Sequence, residues 1–136
     1  MIVDTSALIA IVALEEGHEG LNAALVHEDN VIPAPVLVEF HLVTSREGNA
    51  PNPDAQLFIA TLLGQRSRVE SFSAEDAALA PEAHQRHGRG SGLGGKLNIL
   101  DVMVYCMARR LGRPILCAGR DFVPTGIMIH PKSRIR

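Results

Sequence analysis

Short apolar runs separated by long stretches of helical period are the feature that most narrows the folds open to this chain. MIV at residues 1–3, VIPAP at 31–35 and PILCAG at 114–119 are too short for helices and lack polar alternation. A strand buried on both faces reads this way. Between these runs, apolar residues recur three and four positions apart. Helices are therefore predicted within TSALIAIVALEE (5–16), HEGLNAALVHED (18–29) and VLVEFHLVTSRE (36–47). Three more are predicted within DAQLFIATLLGQ (54–65), SAEDAALAPEAHQRHG (73–88) and NILDVMVYCMARRLG (98–112). Pro35 suits a first helical turn and Gly48-Asn49 a stop. Ser73 with Asp76, and Asn98 with Asp101, have capping-box spacing. RVESFS (68–73) reads as a weak strand and GIMIH (126–130) as one more. Strands alternating with helices imply an α/β domain with a mostly parallel sheet. No repeat or linker interrupts residues 1–136, so a single domain is expected.

In open α/β sheets, ligands gather where strands end at their carboxyl edge and chain order reverses. Two acids stand at such ends: Asp4 after MIV, and Asp121 two residues beyond PILCAG. Each also suits a bland role, Asp4 as the cap of the helix begun by Thr5 and Ser6. Glu39 is harder to dismiss, because its neighbours three and four residues away are Pro35, Val36, Leu42 and Val43. A carboxylate on an apolar face needs a basic partner or a metal, or it must protonate. Asp101 lies near the start of a helix that is apolar almost all round, where a helix N-terminus would keep it ionised.

Four carboxylates from four distant segments are costly to gather without a cation. Oxygen ligands suit a hard dication, Mg²⁺ or Mn²⁺, which activates water for in-line attack on a phosphodiester. Neither the two cysteines nor the six histidines has zinc-ligand spacing, and His84 and His87 fall in a charged segment read as solvated. Cys106 and Cys117 read as core residues of a reduced compartment.

The residues MIVDTSALIAI, VLVEFHLV and LNILDVMVYCMARRLGRPILCAGRDF together resemble the PIN-domain family, specifically its VapC-type toxin ribonucleases. The resemblance runs from residue 1 to about residue 127. It implies a three-layer α/β/α sandwich, usually a homodimer, that cleaves RNA with Mg²⁺. Asp4, Glu39, Asp101 and Asp121 match the family's acidic site residues, and Thr5 and Ser6 the hydroxyl pair after its first Asp. On this basis Asp4, Asp101 and Asp121 are expected to hold the metal, Glu39 to complete the shell or orient water, and Thr5, Ser6 and Asn98 to support them. A cognate antitoxin is also implied, with an arginine reaching the carboxylates. Leu100 stands where the family usually has a small residue, and Gly126 where it often has a further acid.

A G-x-x-x-x-G-K string, Gly90 to Lys96, competes with this reading as a nucleotide loop. It follows a charged helical segment rather than a strand, and Leu97 replaces the Ser or Thr that would reach the metal. No nucleotide cofactor is therefore expected. Arg86, Arg89 and Lys96 are instead placed to meet an RNA backbone by charge attraction, with a purely solvated loop as the alternative. A net charge of −2 excludes a protein that coats nucleic acid along its length, and 4% aromatics with no Trp argue against a base-stacking sheet. The apolar run Ala7 to Leu14 is too short to span a bilayer, so a cytoplasmic protein without membrane contact is expected. The rival to a nuclease is a PIN-like binding module with weak or no catalysis, seated on an antitoxin or RNA.

Overall fold

The computed structural model describes residues 1–136. Its elements run β1 (Ile2–Val3), α1 (Thr5–Val12), α2 (His18–His27), β2 (Asn30–Pro33), α3 (Ala34–Thr44), α4 (Pro53–Leu63), β3 (Ser67–Glu70), α5 (Ala74–His87), α6 (Ile99–Leu111) and β4 (Ile115–Leu116). The four strands form one all-parallel sheet in the order β3-β2-β1-β4. Successive side chains of a strand point to opposite faces. Every residue of β1, β2 and β4 is buried, so helices cover both faces and the molecule is a three-layer α/β/α sandwich. Only the edge strand β3 is partly exposed.

One aliphatic core draws on residues from Met1 to Phe122, with Ile2, Leu8, Leu21, Leu25, Ile32, Ile115 and Leu116 fully enclosed. Ala7, Leu8, Ala10 and Ile11 spend the apolar face of α1 on this core. Cys106 and Cys117 are buried and unpaired. No helix is long and apolar enough to cross a membrane.

The helices are shorter than their apolar periods suggest. α1 ends at Val12, where Leu14 takes a positive φ of 52° and turns the chain. α3 stops at Thr44, four residues before Gly48, because the Thr44 and Ser45 hydroxyls bond back to the Phe40 and His41 carbonyls. Such bonds compete with helix continuation. GIMIH forms no full strand. A single parallel bridge, Ile115 to Ile129, and a second, Ala118 to Arg134, lay the tail along β4. His84 is exposed, as expected, whereas His87 is half-buried, its ring 5.3 Å from that of Tyr105.

Chain order decides where the site sits. The chain builds outward from β1 through β2 to β3, then returns across α6 to place β4 on the other side of β1. The junction of β1 and β4 is thus the switch point, and the crevice outside their carboxyl ends is where a ligand would be received.

Candidate active site

At that crevice lies a cavity of about 330 Å³ lined by Asp4, Glu39, Asp101 and Asp121, with Thr5, Ser6 and Asn98 among them. Asp4 leaves β1 and caps α1, its Oδ2 accepting from the Ser6 N–H at 3.0 Å and from the Ser6 hydroxyl. The same hydroxyl oxygen accepts from the Ala118 N–H at 3.0 Å, which ties the end of β1 to the end of β4. Thr5, buried, donates its hydroxyl to Glu39 Oε2 and so joins α1 to α3. Asn98 and Asp101 form the expected capping box: Asn98 N–H donates to Asp101 Oδ2 at 2.8 Å, and Asn98 Oδ1 accepts from the Leu100 and Asp101 N–H groups. Asp121 stands exposed in the turn after β4.

Burial raises the Asp4 carboxyl above the ordinary carboxylate range, opposed by Ser6 and reinforced by the charge of Glu39. Asp101 is pushed up to about 6, chiefly by burial, with Asp4, Asp121 and Glu39 adding repulsion. The expectation that the helix N-terminus would hold Asp101 low is therefore overturned, since desolvation outweighs the single N–H bond it gains. Cys117 reports the same field: burial first, then the charges of Asp4, Asp121 and Asp101, push its thiol up to about 12.

Glu39 differs from expectation in another way. Val36, one turn before it, is buried in the core, whereas Leu42 and Val43, one turn after, are exposed, so Glu39 stands where the core gives way to the cavity rim. Sequence reasoning missed Glu15 and Arg134, which also line the cavity and are ion-paired to each other. Arg134 further donates to the Glu16 carbonyl at 3.0 Å, while its backbone bonds to Cys117 and Gly119. Nothing local announces this contact, because the partners are 119 residues apart. Arg134→Ala is expected to destabilise the fold by about 2 kcal/mol, the worth of hydrogen bonds to charged groups, read as a lower urea midpoint at unchanged slope.

The three basic residues do not gather. Arg86 and Lys96 line a small cavity of about 100 Å³ that borders Asp121, whereas Arg89 faces a different cleft between α5 and α6. The glycine segment enters from α5, so it lacks the strand-loop-helix geometry of a phosphate loop. Its base is pinned by a Gly88–Leu97 bridge. A side chain at Gly95 would strike the His87 backbone at 2.3 Å.

The donor set is all oxygen, as a hard dication requires. No three acids already converge on one point at ligating spacing. Asp4, Glu39 and Asp101 each commit one oxygen to a partner within the chain. Their other oxygens have no protein partner, and none of these is sealed away, since Arg134 Nε is the sole buried side-chain atom left without one. Uncommitted oxygens open to a shared cavity fit a cation that would draw them together.

The raised Asp101 sets a pH dependence. Its folded pKa exceeds its unfolded value, so the folded state holds the proton more tightly and gains stability at low pH. That contribution is complete below about pH 4 and is lost as pH rises through about 6. Metal-free protein is expected to melt progressively lower from pH 4.5 to 7 relative to Asp101→Asn, whose neutral amide does not titrate. Parallel melting curves across that range would contradict the buried, repelled carboxylate.

The PIN domain profile matches residues 1–126. The chain is 37% identical over 129 residues to Ribonuclease VapC42 of Mycobacterium tuberculosis, covering 93% of this chain and 96% of that relative. Its fold is similar to Mycobacterium tuberculosis VapC20, described as a toxin that cleaves the sarcin-ricin loop. The TM-score is 0.72 at 21% identity, over 93% of this chain and 95% of that one. It is also similar to VapBC2 from Rickettsia felis, solved bound to a DNA fragment from its promoter. There the TM-score is 0.66 at 15% identity, over 99% and 96% of the two chains.

Proposed function

The chain belongs to the PIN domain family, and from that premise we propose that it is a metal-dependent endoribonuclease, the toxin of a toxin–antitoxin pair. The observation that carries the reading is the meeting of Asp4, Glu39, Asp101 and Asp121, from four separate segments, in one cavity at the β1–β4 junction. Asp4, Asp101 and Asp121 would hold Mg²⁺ or Mn²⁺, which when bound supplies an acidified water and neutralises phosphate charge.

The chain's own residues do the rest. Thr5 fixes one oxygen of Glu39, a residue that lines the cavity, and the other would orient the attacking water and take its proton. Ser6 holds Asp4 and the end of β4 in register, so the acids on the two strands keep their spacing. Asn98 fixes the first turn of α6 and with it the Asp101 carboxylate. Arg86 and Lys96, beside Asp121, would meet phosphates of the strand leaving the cavity. Water attack leaves 5′-phosphate and 3′-hydroxyl ends.

The relative named Ribonuclease VapC42 supports the choice of RNA, and VapBC2 supports a protein antitoxin. An antitoxin arginine laid over the four acids would suit their charge. The homodimer draws support from α3, whose Val38 and Leu42 stand one turn apart and exposed. Light scattering should give twice the chain mass, falling to one for Leu42→Asp. A specific observation favours the second reading, a weakly catalytic binding module: the acids lack a preformed ligating trio.

The deciding experiment incubates purified protein, freed of antitoxin, with RNA and Mg²⁺ or Mn²⁺. Cleavage stopped by EDTA and restored by added metal is the expected result. Intact RNA, with no heat of Mg²⁺ binding by calorimetry, would leave the binding module.

A further inference from the structure

A second cleft, about 580 Å³, lies between α5 and α6 and is independent of the acids. Its walls are aliphatic, from Pro81, Ile99 and Val102. Ile99 is 77% exposed, an apolar side chain presented to water at the start of α6. Two polar features mark it. Arg89 lines the cleft and has no carboxylate within 4.0 Å, while its backbone N–H is anchored to the Leu97 carbonyl at 2.8 Å. Pro81 leaves the Ala77 carbonyl without its helical N–H donor, so an acceptor is available on the same wall. Asn98 lines both this cleft and the acid cavity, so the two adjoin at the start of α6.

From this adjacency we infer that the α5–α6 cleft is a nucleobase subsite that selects guanine beside the scissile phosphate, with Arg89 as the reader. The inference rests on the nuclease reading of the acid cavity. A phosphodiester at the acids would leave a neighbouring base about one ribose away, within reach of the cleft across Asn98. Apolar walls receive its faces, which is how an unstacked base is held where aromatic residues are scarce. A guanidinium with no competing carboxylate pairs in two bonds with the O6 and N7 acceptors of guanine. Adenine offers a donor in place of O6, and pyrimidines lack N7, so each would leave a bond unmade. A ligand pocket of this size with few, well-placed polar groups is of the ordinary kind.

The test uses the full-length Asp4→Asn protein in EDTA, so that binding is read without cleavage. Fluorescence anisotropy compares oligo(U) with oligo(U) carrying one central guanine. The guanine oligomer is expected to bind about tenfold more tightly. Arg89→Gln, on an exposed loop, should erase the difference, and so should Ala77→Phe, which fills the cleft from its exposed lip. Affinity for plain oligo(U) should stay unchanged in Ala77→Phe and fall only slightly in Arg89→Gln, which removes one cation near a polyanion. Equal affinities in the unsubstituted cleft, or a guanine preference that survives both changes, would overturn the subsite. So would loss of antitoxin binding in Ala77→Phe with guanine preference intact, which would make the cleft a protein-docking face. Metal-dependent cleavage without an Arg89-dependent guanine preference would sink the subsite alone. An Arg89-dependent preference in a protein that never cleaves would sink the nuclease and leave the subsite standing.

Discussion

Replacing Asp4 with asparagine is expected to abolish RNA cleavage and, at the same time, to raise the melting temperature of the metal-free protein. The two effects have one cause. Asp4 is 5% exposed, carries a carboxyl raised by burial, and faces Glu39, Asp101 and Asp121 across the cavity. Keeping that carboxylate ionised costs folding energy, which a bound dication would offset. Asparagine keeps the cap, since its oxygen still accepts from the Ser6 N–H, and removes the charge. The amide gives up the anionic donor a hard cation requires, so activity should fall by roughly 10²- to 10³-fold or more. Relief of desolvation and repulsion should stabilise the apo fold by about 1 kcal/mol, a few degrees in a chain of this length. Added Mg²⁺ should raise the melting temperature of the natural protein and leave the variant unmoved. A variant that loses stability in EDTA, or that still cleaves, would refute the shared cause.

The second large effect lies away from the cavity. Asp76→Ala should destabilise the protein by about 3 kcal/mol, the low end for breaking a buried ion pair by removing one partner. Asp76 has no exposed surface and receives Arg110 in two bonds, Nε to Oδ1 at 2.6 Å and Nη2 to Oδ2 at 3.0 Å. Its Oδ2 also accepts from the Ser73 N–H at 2.7 Å, within the capping box of α5. One carboxylate thereby locks the start of α5 to the end of α6. Arg110 keeps Glu70 at 3.5 Å, which softens the loss. The melting temperature should drop by roughly 10 °C. Because α6 carries Asp101 at its other end, Mg²⁺ affinity should weaken as well. A thermal shift within a degree of the natural protein would show that the pair is not structural.

These two acids show how far the chain can be read in one dimension. The box of Ser73 and Asp76 was visible as a spacing, as was that of Asn98 and Asp101, because both motifs close within a single helical turn. The Asp76–Arg110 lock was not, since it joins residues 34 apart through helix packing. The apolar face expected around Glu39 is only half core, since Val36 alone of its neighbours three and four residues away is buried. Leu42 and Val43 are exposed, yet an acid among them did mark the cavity rim.

Local pattern determined that the chain alternates buried strands with helices, that Asp4 and Asp121 each follow an apolar strand-like run, and where α5 and α6 are capped. These features depend on periods of two and 3.6 residues and on contacts within a turn, all of which the sequence carries explicitly. The third dimension decided the rest: that α3 ends at Thr44, that Arg134 folds back to pair with Glu15, and that Asp101 is pushed up rather than down. Each of these depends on which distant groups a residue meets and on how much water remains around it. Burial and long-range charge are properties of the packed assembly, so no window along the chain contains them.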